Sequence, residues 1–312
     1  MSSSPPESKH KWRWWHPVLL LAILIAIVAV EQYWLERQIP ASAKIENRVQ
    51  GQSSQQGSGE ANQPSQEQNN SQGQQIQPTE NIKWVWVTMM VLLAAFILVA
   101  GHGITGYWFG ALIDAQNKMS LSRFQMILWT ILIMSAYLTA VLINIQLGSS
   151  KEATDIALDP SLWALMGIST ASLVGSPLLK SKKKAEPSAT LSPPLDTEEE
   201  RTLKLLKDQG VDEVVIEGQI VSNLSPDKAS WGDLFKGEDV STAGHLDLAK
   251  VQMFYFTVIT LIAYGVVLGA TFDKVSRPIT DFPELSAGIL TLLGISHAGY
   301  LTSKAVGSSP PR

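Results

Sequence analysis

The chain contains no cysteine. Disulfides, thiolate metal sites, iron–sulfur clusters and a cysteine nucleophile are thereby excluded. Charge is scarce as well. Only 17% of the 312 residues are Asp, Glu, Lys or Arg, against about 25% in soluble domains. A net charge of -4 and a pI near 5.8 lack the basic surplus of a nucleic-acid binder, so no nucleic-acid partner is expected. The P-loop, the nucleophile elbow, the zincin helix, the EF-hand loop and the dinucleotide glycine fingerprint are all missing from the sequence. Catalysis has no recognisable seat, and neither enzyme activity, cofactor nor metal is expected.

The chain is instead rich in long apolar runs. Pro17 to Val30 is apolar throughout. Trp12, Trp14 and Trp15 flank it on one side, and Tyr33 and Trp34 on the other. Trp15 and Tyr33 are separated by roughly 27 Å of helix, which matches two interfacial aromatic belts across a bilayer. A signal peptide with cleavage near Ala41-Ser42-Ala43 is the competing reading. The charged stretch through Glu31, Glu36 and Arg37 separates that site from the apolar run and favours an uncleaved anchor. Five further runs follow, near 83–103, 124–147, 161–179, 251–272 and 285–303. None has Asp, Glu, Lys or Arg at its middle.

The expected fold is therefore an all-α integral membrane protein with six transmembrane helices. Residues 1–16 form a basic head and 17–35 the first span. Residues 36–82 form an outer loop containing eleven Gln between positions 50 and 78, a composition that cannot offset its own ordering entropy. The second span is 83–103. A first hairpin repeat covers 104–179, with helices at 124–147 and 161–179. Residues 180–250 form a linker and small module, 251–303 a second hairpin and 304–312 a tail. In the module, a helix is expected after Asp196 or Thr197 and up to Gly210, an extended segment over Val214–Val221, and a second helix starting at Ser225-Pro226 and running to Gly237.

Orientation follows from lysine and arginine in the short flanks. Lys9, Lys11, Arg13, Lys118, Arg123, Lys180, Lys182, Lys183, Lys184, Lys250 and Lys304 all fall on one side if both termini are cytoplasmic. The expected location is a cell membrane, that of a bacterium.

A shift of 127 residues brings the two hairpins into register. Gln125-Met126 falls on Gln252-Met253, Ala136-Tyr137 on Ala263-Tyr264, and Gly167-Ile168-Ser169 on Gly294-Ile295-Ser296. Upstream, Trp108 and Gly110 fall on Phe235 and Gly237. One offset serves every match without an insertion, which marks a duplication. Both copies start on the same side, so the repeats are parallel.

The repeated residues read mainly as packing determinants. Gly167, Ala171 and Gly175, with Gly294 and Ala298 in the second copy, form small-xxx-small stripes for close helix approach. That approach joins either the two returning helices or neighbouring subunits. Arg123 and Lys250 read as interfacial anchors. Gln125 and Gln252 read as interhelical glue, with a ring at a pore mouth as the alternative. Tyr137 and Tyr264 need hydroxyl partners, which each could supply to the other across the pseudo-axis. Ser169 and Ser296 are repeat polar positions. His297, opposite Thr170 of the first copy, is the lone candidate for a functional ionisable group within a span. Asp233, Glu238 and Asp239, beside Trp231 and Phe235, read as a solvated loop.

Expected partners are the lipid bilayer, anionic lipid at Lys180–Lys184, further copies of the chain in a homo-oligomer, and a cytoplasmic protein. Three functions fit, in this order: an oligomeric channel or pore, a membrane scaffold or signalling component docking a partner through residues 196–245, and a secondary transporter.

Overall fold

The computed structural model describes residues 15–30, 33, 82–147, 153–185, 195–210, 214–273, 275 and 277–306, and for 195–199 the backbone alone. The basic head before Trp15, the Gln-rich loop, the linker 186–194, the tail after 306 and the capping roles of Asp196 and Thr197 lie outside what is described.

The described chain is mostly helical. Seven helices and one hairpin follow in order: α1 (Trp15–Val30), α2 (Ile82–Thr105), α3 (Leu121–Gln146), α4 (Pro160–Ala185), α5 (Leu195–Asp208), β1 (Val214–Glu217), β2 (Ile220–Asn223), α6 (Leu248–Asp273) and α7 (Ala287–Val306). Four of them, α2, α3, α4 and α6, are long and apolar enough to cross a membrane. A helix is the form that pairs every backbone N–H and C=O within such a segment. The α1 helix is shorter, and α7 carries His297, Tyr300 and Lys304 along its buried face.

Local chemistry sets the helix ends. Asp159 precedes Pro160 at the first position of α4, and its carboxylate accepts the Ser161 N–H at 2.8 Å. Asp247 caps α6 by accepting the N–H groups of Ala249 and Lys250. The α6 helix begins 127 positions after α3 and ends 127 positions after it, and α7 begins 127 positions after α4.

The α3 helix is the central element, twice as buried as the other three apolar helices. It packs on α2, α4 and α6, while α7 packs on α4 and α6, and α1 on α2. Trp129, Ile133, Ile143, Leu162, Leu268 and Phe272 form the middle of this core. The Trp86 indole donates to the Ser135 hydroxyl at 3.0 Å, which lets a polar ring edge sit buried.

The α3–α4 and α6–α7 loops are stitched together. Ala157 donates to the Thr280 carbonyl at 2.7 Å, and Phe282 donates back to Ala157 at 3.2 Å. Asn144, buried at the end of α3, clamps Ile279 from both sides: its amide donates to the Ile279 carbonyl at 2.8 Å and its oxygen accepts the Ile279 N–H at 2.7 Å. Tyr137 and Tyr264 do not meet across an axis. Each hydroxyl donates to a carbonyl of its own hairpin's loop, Tyr137 to Thr154 at 3.1 Å and Tyr264 to Pro283 at 3.0 Å.

The small module has its own apolar centre of Leu206, Val221, Val240 and Ala243. The extended segment over Val214–Val221 is a hairpin, turned at Gly218, whose φ of 60° favours glycine. The single helix expected from Ser225 is two 3₁₀ turns, Pro226–Lys228 and Trp231–Leu234. Ser230 is extended and starts the second turn with a capping box closed by Asp233, which interrupts any continuous helix.

Candidate functional site

The most unusual chemistry lies where the module meets the ends of the long helices. Glu238 sits between three lysines from three helices. Its carboxylate is 2.9 Å from Lys180 of α4, 2.7 Å from Lys250 of α6 and 3.0 Å from Lys304 of α7. Lys180 also pairs with Asp114, in the loop between α2 and α3, at 2.5 Å. Lys250 additionally donates to the carbonyls of Asp233 and Lys236. The Lys304 ammonium donates to the Tyr300 hydroxyl at 2.6 Å and to Ser176. All three lysines are buried.

Buried ions survive only with close partners and further hydrogen bonds, and this cluster supplies both. Burial alone would push the Glu238 carboxyl up. The ammonium groups of Lys180, Lys250 and Lys304 overcome it and hold the group well below the usual carboxylate range. Glu238 reaches this place because Gly237 precedes it in a turn where a Cβ would stand 2.5 Å from the Thr242 carbonyl oxygen. Gly110, 127 positions earlier, is equally confined, with the Gly101 carbonyl oxygen 2.8 Å from where a Cβ would be.

Lys118 lies buried beside the cluster without a hydrogen bond or ion pair to its ammonium. Desolvation lowers its pKa to about 8, against the pull of Glu238 and Asp233. Between about 8 and the unfolded value near 10.4, the unfolded state binds the extra proton, so stability rises with pH across that window. Lys118→Met is expected to raise stability at pH 7 by about 3 kcal/mol and to abolish the rise. Thermal unfolding in detergent at pH 7 and pH 10 measures both.

Polar contacts continue from the cluster into the helix bundle between α4 and α7. Ser176 lies 3.3 Å from the Tyr300 hydroxyl, and one turn deeper Ser172 meets His297 at 2.6 Å. Ser169 and Ser296 follow, both buried, their hydroxyls without a hydrogen-bond partner. His297 is thus engaged by a serine at the α4–α7 interface, in a position closed to solvent.

The other expected residues divide sharply. Lys250, read as an anchor, is among the most completely buried side chains. Within Lys180–Lys184 only Lys182 faces outward without a partner; Lys183 is buried on Asp239 at 2.6 Å, and Lys184 pairs with Glu217. Glu238 is no part of a solvated loop. Arg123 is half-buried, and one guanidinium N–H reaches the Ala111 carbonyl at 3.4 Å. Gln125 is fully buried and donates to the Met253 carbonyl at 3.3 Å and to the Thr257 hydroxyl, joining α3 to α6. Gln252, its counterpart, is exposed.

The small residues also part company. Gly175 meets Leu301 and Gly294 faces Ile168 across the α4–α7 contact. Gly167, Ala171 and Ala298 face outward. Close packing of the returning helices runs on Ser169, Ser172 and Ser176 instead. That polar stripe, spaced three and four apart and ending at Lys180, was visible in the sequence, as was its match His297, Tyr300 and Lys304.

Among the described residues no group of three or more His, Asp or Glu is arranged for a metal ion. Comparison with family models, curated proteins and solved structures gives no match to the chain.

Proposed function

We propose that the protein is a membrane scaffold or signalling component, a multi-pass chain whose small cytoplasmic module docks a partner and is mechanically keyed to the helix bundle. One observation carries this reading: Glu238, a module residue, closes on lysines of α4, α6 and α7 at once. Rearrangement of those helix ends must move the module or break buried ion pairs.

The accompanying architecture is six spans with both termini cytoplasmic, in a bacterial plasma membrane, with α3–α4 and α6–α7 as parallel copies of one hairpin. Shared helix boundaries 127 positions apart support the duplication. So do the two tyrosines, each tied to its own loop. So does the basic position in the first turn of α3 and of α6: Arg123 reaches Ala111 and Lys250 reaches Glu238, the same partner position in the two copies.

An oligomeric pore between copies of the chain is the second reading. The outward-facing Gly167, Ala171 and Ala298 favour it, because small residues let helices of neighbouring chains approach closely. Within one chain, polar groups of neighbouring helices bond to each other at Gln125–Thr257 and Ser172–His297, which supports packing over a wetted axis.

The test is affinity capture with the full-length protein in nanodiscs, wild type beside Glu238→Gln, paired with planar-bilayer recordings. The scaffold reading expects one protein enriched reproducibly by wild type and lost with the variant. Equal capture by both, or conductance without any reproducible partner, overturns it.

A further inference from the structure

We propose that the cleft between the first turns of α3 and the last turns of α4 binds an anionic glycerophospholipid, with the headgroup phosphate on Arg123 and Lys184 and one acyl chain laid along Met126, Ile127 and Leu173. The cleft measures about 630 Å³, within the range of ligand sites. It has two chemically distinct ends. Arg123, Lys180 and Lys184 line the end toward the module, and Met126, Ile127 and Leu173 line the end toward the middle of the apolar helices. A phospholipid has the same polarity along its length, and a basic pocket between membrane helices at the headgroup level is the usual setting for an anionic one.

The three basic groups differ in how free they are. Lys180 is committed to Asp114 and Glu238, so its charge is already spent and it offers no ligand contact. Arg123 spends one N–H on the Ala111 carbonyl at 3.4 Å. Its remaining donors form the planar fork that suits a phosphate. Lys184 is about one-third exposed and shares its charge with Glu217. Asp114 also lines the cleft, but Lys180 neutralises it at 2.5 Å. The zwitterionic headgroups offer the same phosphate with a cation attached. That cation would meet this basic end, so selectivity for net negative lipids follows.

The inference rests on the reading of α3 and α4 as membrane spans, and the experiment separates the two. Full-length protein is reconstituted in nanodiscs of equal phosphatidylglycerol and phosphatidylcholine, and the lipids retained on gentle release are counted by native mass spectrometry. Wild type is expected to retain phosphatidylglycerol over phosphatidylcholine. Arg123→Gln is expected to lose that preference about fivefold, the scale of one basic group at an anionic surface, while Lys182→Gln on the exposed side of the same helix end leaves it intact. Millimolar inorganic phosphate is expected to leave the retained lipid in place, because it lacks the acyl chain. A chain that stays in the nanodisc without headgroup preference overturns the lipid site alone. Equal losses for Arg123→Gln and Lys182→Gln, or displacement by phosphate, overturn it as well. A chain that does not enter nanodiscs at all overturns the membrane reading beneath it.

Discussion

Glu238→Gln is expected to cost about 3–5 kcal/mol of stability, the scale for removing one partner from a buried ion pair. Glutamine keeps the shape of the side chain and removes its charge. Lys180 then retains Asp114, but Lys250 is left with two carbonyls, and Lys304 with a tyrosine and a serine hydroxyl. Three cations would share a low-dielectric space with one carboxylate. The loss is expected to be largely recovered by adding Lys304→Met, since the pair of substitutions removes opposite charges that depend on each other. Thermal or denaturant unfolding in detergent, run as a double-mutant cycle, measures the coupling. Acid gives an independent readout. The folded carboxyl binds its proton more weakly than the unfolded one, whose value is near 4.3. As pH falls below that value the unfolded state gains protons first, and stability drops through the folded value. Glu238→Gln is expected to lack that component. A variant as stable as wild type, or an unchanged acid profile, would remove the basis for coupling between module and bundle.

Asn144→Leu is expected to release the α3–α4 and α6–α7 loops from each other. The amide of Asn144 satisfies both the N–H and the C=O of Ile279, and Ile279 is buried. Leucine fills the space and leaves both groups unpaired, at about 1–3 kcal/mol each. A total loss of about 2–6 kcal/mol is expected, with faster amide exchange across 277–285 read by hydrogen–deuterium exchange. Thr271 occupies the corresponding position of α6, where its hydroxyl only returns to the Val267 carbonyl on an exposed face. Thr271→Leu should therefore change neither stability nor exchange by more than a few tenths of a kcal/mol, as is usual for exposed sites. Equal effects at the two positions would mean that the loops are held by something other than this clamp.

Much of the scaffold was legible in the chain itself. Apolar runs marked the long helices within a few residues, because a segment with no polar stripe and no central charge has few other fates. The module was harder. Ser225-Pro226 is a sound helix start, but an extended Ser230 five residues on begins a new turn, and the interruption depends on Asp233 closing back on it. The site itself was misread for a specific reason. Lysines at the end of an apolar run ordinarily mark the membrane edge, and Lys180 and Lys250 fit that pattern. Their acid, Glu238, lies far from Lys180 in sequence and close to it only through the packing of the module. Gln125 and Gln252 make the same point from the other direction. They stand 127 positions apart, each in the second turn of its helix, yet α3 is enclosed by its neighbours and α6 is not, so one glutamine is buried and the other exposed. Repetition of a residue did not imply repetition of its surroundings.

The cluster around Glu238 also imposes an order on biogenesis. Lys180 leaves the ribosome before its carboxylate at 238, and Lys304 leaves after it. Until α7 has entered beside α4, Glu238 holds at most two of its three ammonium groups, and Ser172 and Ser176 have no His297 or Tyr300 to meet. A nascent chain lacking α7 carries exposed polar groups on α4 and an incompletely neutralised acid. The charge balance around Glu238 is therefore complete only once α7 is in place, which makes docking of α7 the step that closes the structure.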